Sequence, residues 1–134
     1  IDIEELEFRT HLELSNPREL LLRLRWLGIL SSQLDCSLAC SGGVHDVTDA
    51  IKAIMSGAHA VQLVAALLRG GPPKLATLQQ DLVRWLDEHE YDSLAQMRGS
   101  MNSSRTPDPT VFERGNYMRM LRTWRFDGAA PWRP

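Results

Sequence analysis

The sequence lacks the features that mark membrane, secreted and nucleic-acid-binding proteins. No apolar run approaches the roughly 20 residues that span a bilayer, and the first residues do not have the basic-then-apolar order of a signal peptide. The formal net charge is only −2, and the 15 lysines and arginines form no basic stripe, which argues against nucleic acid as the main partner. We therefore expect a cytoplasmic protein that binds neither a membrane nor nucleic acid.

Cysteine and histidine are also scarce. Cys36 and Cys40 are the only cysteines, and four positions apart in a strand-like run they point to the same face and are poorly placed to bridge each other. We interpret both as buried free thiols, which suits a reducing compartment. The 4 histidines show no ligand spacing with one another or with the cysteines, so no metal site is predicted.

The length and amino-acid composition of the chain are those of a globular domain. With 134 residues, of which 43% are hydrophobic and 24% charged, the chain has the size and balance of one compact unit. It opens with Ile1 inside a charged segment, and we expect it to be a piece of a longer polypeptide. Residues 1–13 fit a loop or a short strand equally well.

Capping signals and hydrophobic periodicity predict a largely helical chain. Asn16, Pro17 and Glu19 form a cap, a first-turn proline and an acid at the third helical position, opening a helix over about 17–31 whose broad apolar face needs packing on more than one side. Asp46 caps the next helix, which Gly57 ends. Further helical segments are predicted at 65–69, at 73–90, from a cap at Asp92 to near Gly99, and from Asp108-Pro109 to Trp124, with 127–134, including Trp132, as a loose tail.

Two short apolar runs, residues 36–41 and 60–64, predict β-strands. The first has the character of a strand buried on both faces. A single helix joins the two strands, so residues 36–64 form a βαβ unit with parallel neighbours. Because a two-stranded sheet is marginal in water, we expect further strands from upstream or from a partner chain to cover its open edges.

The stretch SLACSGGVHD, residues 37–46, carries the clearest functional signal. The strand breaks at Gly42 and Gly43 before a helical pattern, as in a phosphate-binding strand–turn–helix, since glycines allow close backbone approach and the following amides suit an anion. His45 is interpreted as a solvent-facing loop residue, with phosphate or flavin contact as the alternative. Cys40 is interpreted as a packing residue, because no paired histidine or helix N-terminus is evident to lower its pKa.

Residues 41–58 (SGGVHDVTDAIKAIMSGA), 60–63 (AVQL), 90–94 (EYDSL) and 97–99 (MRG) resemble the C-terminal end of the dihydroorotate dehydrogenase family. The similarity runs in order from about Ile1 to about Leu121 and is closest to the FMN-dependent proteins of the soluble branch. It implies a (β/α)8 TIM barrel, of which residues 1–126 supply strands seven and eight with their helices, the C-terminal helices being 73–124. It also implies a flavoprotein oxidoreductase of pyrimidine metabolism that oxidises dihydroorotate or a related dihydropyrimidine by hydride transfer to flavin.

The resemblance also implies the cofactor-binding residues. The loops after the last two barrel strands hold the FMN phosphate in this family, a common position for a phosphate site in barrels, and here they correspond to Gly42 and Gly43, flanked by Ser41, and to Val64 and Ala65. Many relatives have a glycine or small residue followed by a hydroxyl residue at the second loop. No catalytic residue is predicted in this chain, because the family carries its catalytic groups on earlier strands; the enzyme would be the parent protein, an FMN-dependent dehydrogenase acting on CH–CH groups.

Two other interpretations stay open. The chain fits a non-catalytic fragment that associates with itself or binds a partner protein through open sheet edges and apolar helix faces. It also fits a phosphate-binding barrel with a different substrate, because one barrel fold hosts many chemistries. The expected partners are accordingly the flavin and a small-molecule substrate, together with the missing N-terminal barrel half or a second copy of the chain.

Overall fold

A computed structural model describes residues 1–112 and 115–123 of the chain. The predicted helix end at Trp124 and the predicted tail at 127–134 lie outside these residues. The described part has α-helices alternating with two short strands, together with two short 3-10 helices at Pro17–Glu19 and Pro109–Phe112. The α-helices are α1 (Leu20–Leu30), α2 (Val47–Met55), α3 (Ala65–Gly70), α4 (Pro73–Glu88), α5 (Leu94–Met97) and α6 (Gly115–Thr123).

The strands β1 (Ala39–Ser41) and β2 (Ala60–Gln62) form a two-stranded parallel sheet. The predicted parallel pairing around α2 is therefore confirmed. The register pairs Ala39 with Ala60 and Ser41 with Gln62. Both strands are shorter than the apolar runs suggested, because only these residues form the ladder.

The predicted burial of β1 on both faces is wrong. Cys40 is buried, whereas Ala39 and Ser41 on either side of it are exposed. The reason is that helices pack on one face of the sheet only. Cys36 precedes the strand and is exposed, so its predicted burial is wrong, while both cysteines are free thiols as expected.

Helix α2 lies between two apolar clusters and contributes to both. Its Ala53 belongs to the first cluster, with Cys40 of the sheet and with Leu20 and Leu27 of α1. Its opposite side carries Ile51 and Ile54 of the second cluster. That second cluster also contains Met97 and is covered by Leu82, Trp85, Leu86 and Tyr91 among others.

Helix α1 is packed on only part of its broad apolar surface. Leu20 and Leu27 are buried, whereas Leu21, Leu22 and Trp26 are exposed. The sequence predicts packing on more than one side of this helix. Within the described residues, only one side is covered. Across this part of the chain, every helix is too short or too polar to span a bilayer.

Of the three predicted capping residues Asn16, Asp46 and Asp92, the first two are correct. Asn16 and Glu19 form a complete capping box, and Oδ1 of Asp46 accepts a hydrogen bond from the Asp49 amide at 2.9 Å. The predicted cap at Asp92 is wrong by one residue. Ser93 has the extended backbone of a cap, and its hydroxyl accepts a hydrogen bond from the Gln96 amide.

Candidate functional site

The turns that follow β1 and β2 meet at one cavity of about 210 Å³. Parallel neighbouring strands end at the same edge of a sheet, where ligands of α/β proteins commonly bind. Ser41, Gly42, Val64 and Ala65 all line this cavity, so four of the five predicted site residues are brought together. The other lining residues are Leu12, Glu13, Leu14, Ser15, Val44 and Gln62.

Gly42 occupies a backbone position that only glycine adopts without strain. Its φ is +83°, and a Cβ atom placed there would lie 2.8 Å from Nη2 of Arg23. Arg23 reaches this turn from α1, donating from Nε to the Ser41 carbonyl and from Nη1 to the Glu19 carbonyl at 2.6 Å. An ion pair with the Glu19 carboxylate at 3.3 Å holds the guanidinium. The turn after β1 is therefore fixed by α1.

Gly43 has a different role from its neighbour. It is buried, with φ +81°, and an added Cβ would collide with the backbone nitrogen of Leu20 at the start of α1. Its amide donates to Oγ of Ser15 at 3.2 Å. Gly43 thus allows the turn to pack against α1, and its amide is directed to the segment that precedes this helix.

The second turn presents backbone and apolar groups. Val64 is 65% exposed and Ala65 is buried. Val64 is the N-cap residue of α3 and makes no side-chain capping bond. The first amides of a helix have no acceptor within that helix, so the backbone is the donor that this turn offers.

Residues 12–15 form a third wall that the sequence did not reveal. Arg69 of α3 donates to the Ser15 carbonyl at 3.2 Å and to the Leu14 carbonyl at 3.5 Å. Together with the bond from Gly43 to Ser15, these contacts hold the segment to both turns. The sequence does not predict this wall, because residues 1–13 have no periodic hydrophobic pattern. The nearest structural indication in the sequence is the capping box at Asn16, just after the wall.

Cys40 and His45 both lie close to the glycine turn in sequence. Burial raises the pKa of the Cys40 thiol, and nearby Arg23 opposes this only in part, which favours a neutral packing residue. His45 is half-buried, and its Nε2 is buried with no partner among the described residues. The prediction of a solvent-facing histidine is therefore wrong. The His45 backbone is tied to α2, since Asp49 accepts a hydrogen bond from the His45 amide at 3.0 Å.

Within 1–112 and 115–123, no group of three or more His, Cys, Asp or Glu side chains is arranged to hold a metal ion. Three features of the cavity suit a phosphate, whereas the Glu13 carboxylate, which also lines it, does not. Gly42 with its positive φ, Ala65 at the start of α3 and Ser41 line it, and backbone amides in such turns form anion-binding concavities. Two arginines, Arg23 and Arg69, bind the backbone of its walls.

Neither a scan against protein-family models nor a search of curated proteins finds a match for this chain. The similarity to dihydroorotate dehydrogenases therefore remains a prediction from the residues that carry it.

Proposed function

We propose that this chain is the C-terminal part of an FMN-dependent oxidoreductase resembling dihydroorotate dehydrogenase, and that it holds the phosphate of the flavin. The observation that carries the proposal is the shared cavity. Ser41 and Gly42 after β1, and Val64 and Ala65 after β2, line the same space at the carboxyl edge of a parallel sheet. A phosphate site after the last two strands is a recurrent feature of TIM barrels.

The chemistry of the walls suits this role. Ser41 supplies a hydroxyl that donates or accepts, and the turns supply backbone amides. Bound FMN would supply the hydride acceptor for oxidation of a dihydropyrimidine. The residues of this chain would bind and orient the phosphate end, with Arg23 fixing the turn through the Ser41 carbonyl and Arg69 fixing residues 14 and 15.

The form of the sheet supports a place in a larger barrel. Ala39, Ser41, Ala60 and Gln62 expose one sheet face, which would become the barrel interior. Apolar grooves flank both strands: one of about 420 Å³ lies between α1 and β1, and one of about 220 Å³ lies between β2 and α4. Strands added at both edges, from an N-terminal barrel half or a second copy, would cover them. A cytoplasmic location and a small-molecule substrate belong to the same proposal.

The flavin content of the complete protein that contains this chain tests the proposal. We expect a yellow protein whose absorbance spectrum shows bound flavin and whose released cofactor is FMN by mass spectrometry. A colourless protein that forms the full barrel and does not take up added FMN would contradict it. A yellow protein that does not oxidise dihydropyrimidines would retain the cofactor site and favour a barrel with a different substrate.

The exposed apolar surface of α1 favours one second candidate, a non-catalytic assembly unit. Leu21, Leu22 and Trp26 are exposed on this helix, and such a patch marks a contact surface in many proteins. Sedimentation analysis separates the alternatives. A well-folded monomer of 15.2 kDa would contradict self-association, whereas a stable oligomer without flavin would favour it.

A further inference from the structure

We infer that Gln62, together with Ser41, binds the part of the ligand next to its phosphate, and that this part is a polyol. The inference rests on the proposed phosphate site and deepens it. Gln62 was not among the residues predicted to bind the cofactor. The structure brings it to the cavity from the end of β2.

The register of the sheet places the two side chains together. Ser41 and Gln62 are the final residues of their strands and are direct partners in the parallel ladder. Neighbouring strands lie about 4.8 Å apart, and partners in register point to the same face. That face is the one that the helices leave bare, since Cys40 between Ala39 and Ser41 points into the helix-covered core.

The surroundings of Gln62 give it no packing role. Its side chain is exposed at the end of the strand, and the apolar cluster beneath the sheet takes Val61 instead. A change at Gln62 therefore leaves no cavity in the core. Gln62 instead lies on the wall of the 210 Å³ cavity, beside Ser41 and close to the turn of Gly42. This position suits a contact with a bound ligand.

The chemistry of the pair favours one class of ligand. A carboxamide and a hydroxyl each donate and accept hydrogen bonds and carry no charge. Such groups match the hydroxyls of a polyol, which also donate and accept. With the phosphate held by backbone amides at the turns, the structure favours a phosphorylated polyol, such as the ribityl phosphate of FMN, over a phosphate on an apolar group.

Calorimetric titration of the Gln62→Leu variant with three probes tests the inference. The probes are FMN, ribitol 5-phosphate and inorganic phosphate, and Gln80→Leu, at an exposed position of α4, is the matched control. Loss of one or two hydrogen bonds should weaken binding of both organic phosphates about tenfold. Binding of inorganic phosphate should not change, and the Gln80→Leu control should bind all three probes as the unsubstituted protein does.

The outcomes separate this inference from the proposed function. Equal weakening for all three probes, or no change for FMN, would overturn the role of Gln62 while leaving the phosphate site in place. Binding of ribitol 5-phosphate but not FMN, with the expected loss in Gln62→Leu, would retain the polyol site and contradict the flavin. Binding of none of the probes to the unsubstituted protein would overturn both. Gln62→Asn, which withdraws the amide by one methylene, should show the same pattern to a smaller degree.

Discussion

At the scale of single residues, Gly42 and Gly43 show how two identical neighbours serve different purposes. Both have a positive φ, at +83° and +81°, and the sequence predicted the turn from the pair alone. It did not distinguish them, because the difference depends on where α1 begins. Gly42 faces the cavity and Arg23, whereas Gly43 lies against the backbone of Leu20.

Replacing Gly43 with alanine should destabilise the protein strongly. The added Cβ would be strained by the positive φ and would collide with the start of α1, so the free energy of unfolding should fall by about 2 kcal/mol or more. Urea denaturation measures this. Gly70→Ala is the control, because the nearest side chain to its Cβ is the flexible Lys74 at 3.3 Å. Equal stability of the two variants would contradict the packing role of Gly43.

The two cysteines show a limit of prediction at this scale. Their spacing in an apolar run suggested that both were buried in one strand. The ladder begins at Ala39, so Cys36 falls outside it and is exposed. The length of a strand depends on how many of its residues pair with a neighbouring strand. An apolar run in the sequence does not show this number.

At the scale of secondary-structure elements, α2 is the most predictable and the most connected. Its apolar periodicity and the Asp46 cap were clear in the sequence because both are local properties. Its position between the two apolar clusters was not, because that depends on the packing of α1, α4 and α5 around it. The same holds for the wall at residues 12–15, which is fixed by Gly43 and Arg69 far along the chain.

Removing the cap of α2 should have a measurable cost. Asp46→Ala deprives the Asp49 amide of its side-chain acceptor at 2.9 Å, and loss of such a cap lowers the free energy of unfolding by about 1 kcal/mol. Asp92→Ala is the matched control, since Ser93 and not Asp92 caps α5. Chemical denaturation of both variants gives the comparison. A control that is as destabilised as Asp46→Ala would contradict the assignment of the caps.

At the scale of the whole molecule, the parallel βαβ unit was predictable and the barrel remains a prediction. Two strands with one bare face and an apolar groove beside each edge are what an isolated part of a barrel would present. The residues alone pointed only to the turn at Gly42 and Gly43, and the resemblance added the turn at Val64 and Ala65. Their meeting at one cavity follows from parallel pairing, and it gives the proposed FMN site its strongest support.

The most direct test of the central claim is to follow the backbone amides of both turns by NMR while FMN is added to the 15N-labelled protein. The amides of Gly42 after β1 and of Ala65 after β2 should shift together and report the same dissociation constant. Riboflavin, which lacks the phosphate, should leave them nearly unchanged. Shifts at one turn only, or equal shifts with riboflavin, would contradict a phosphate site shared by the two turns.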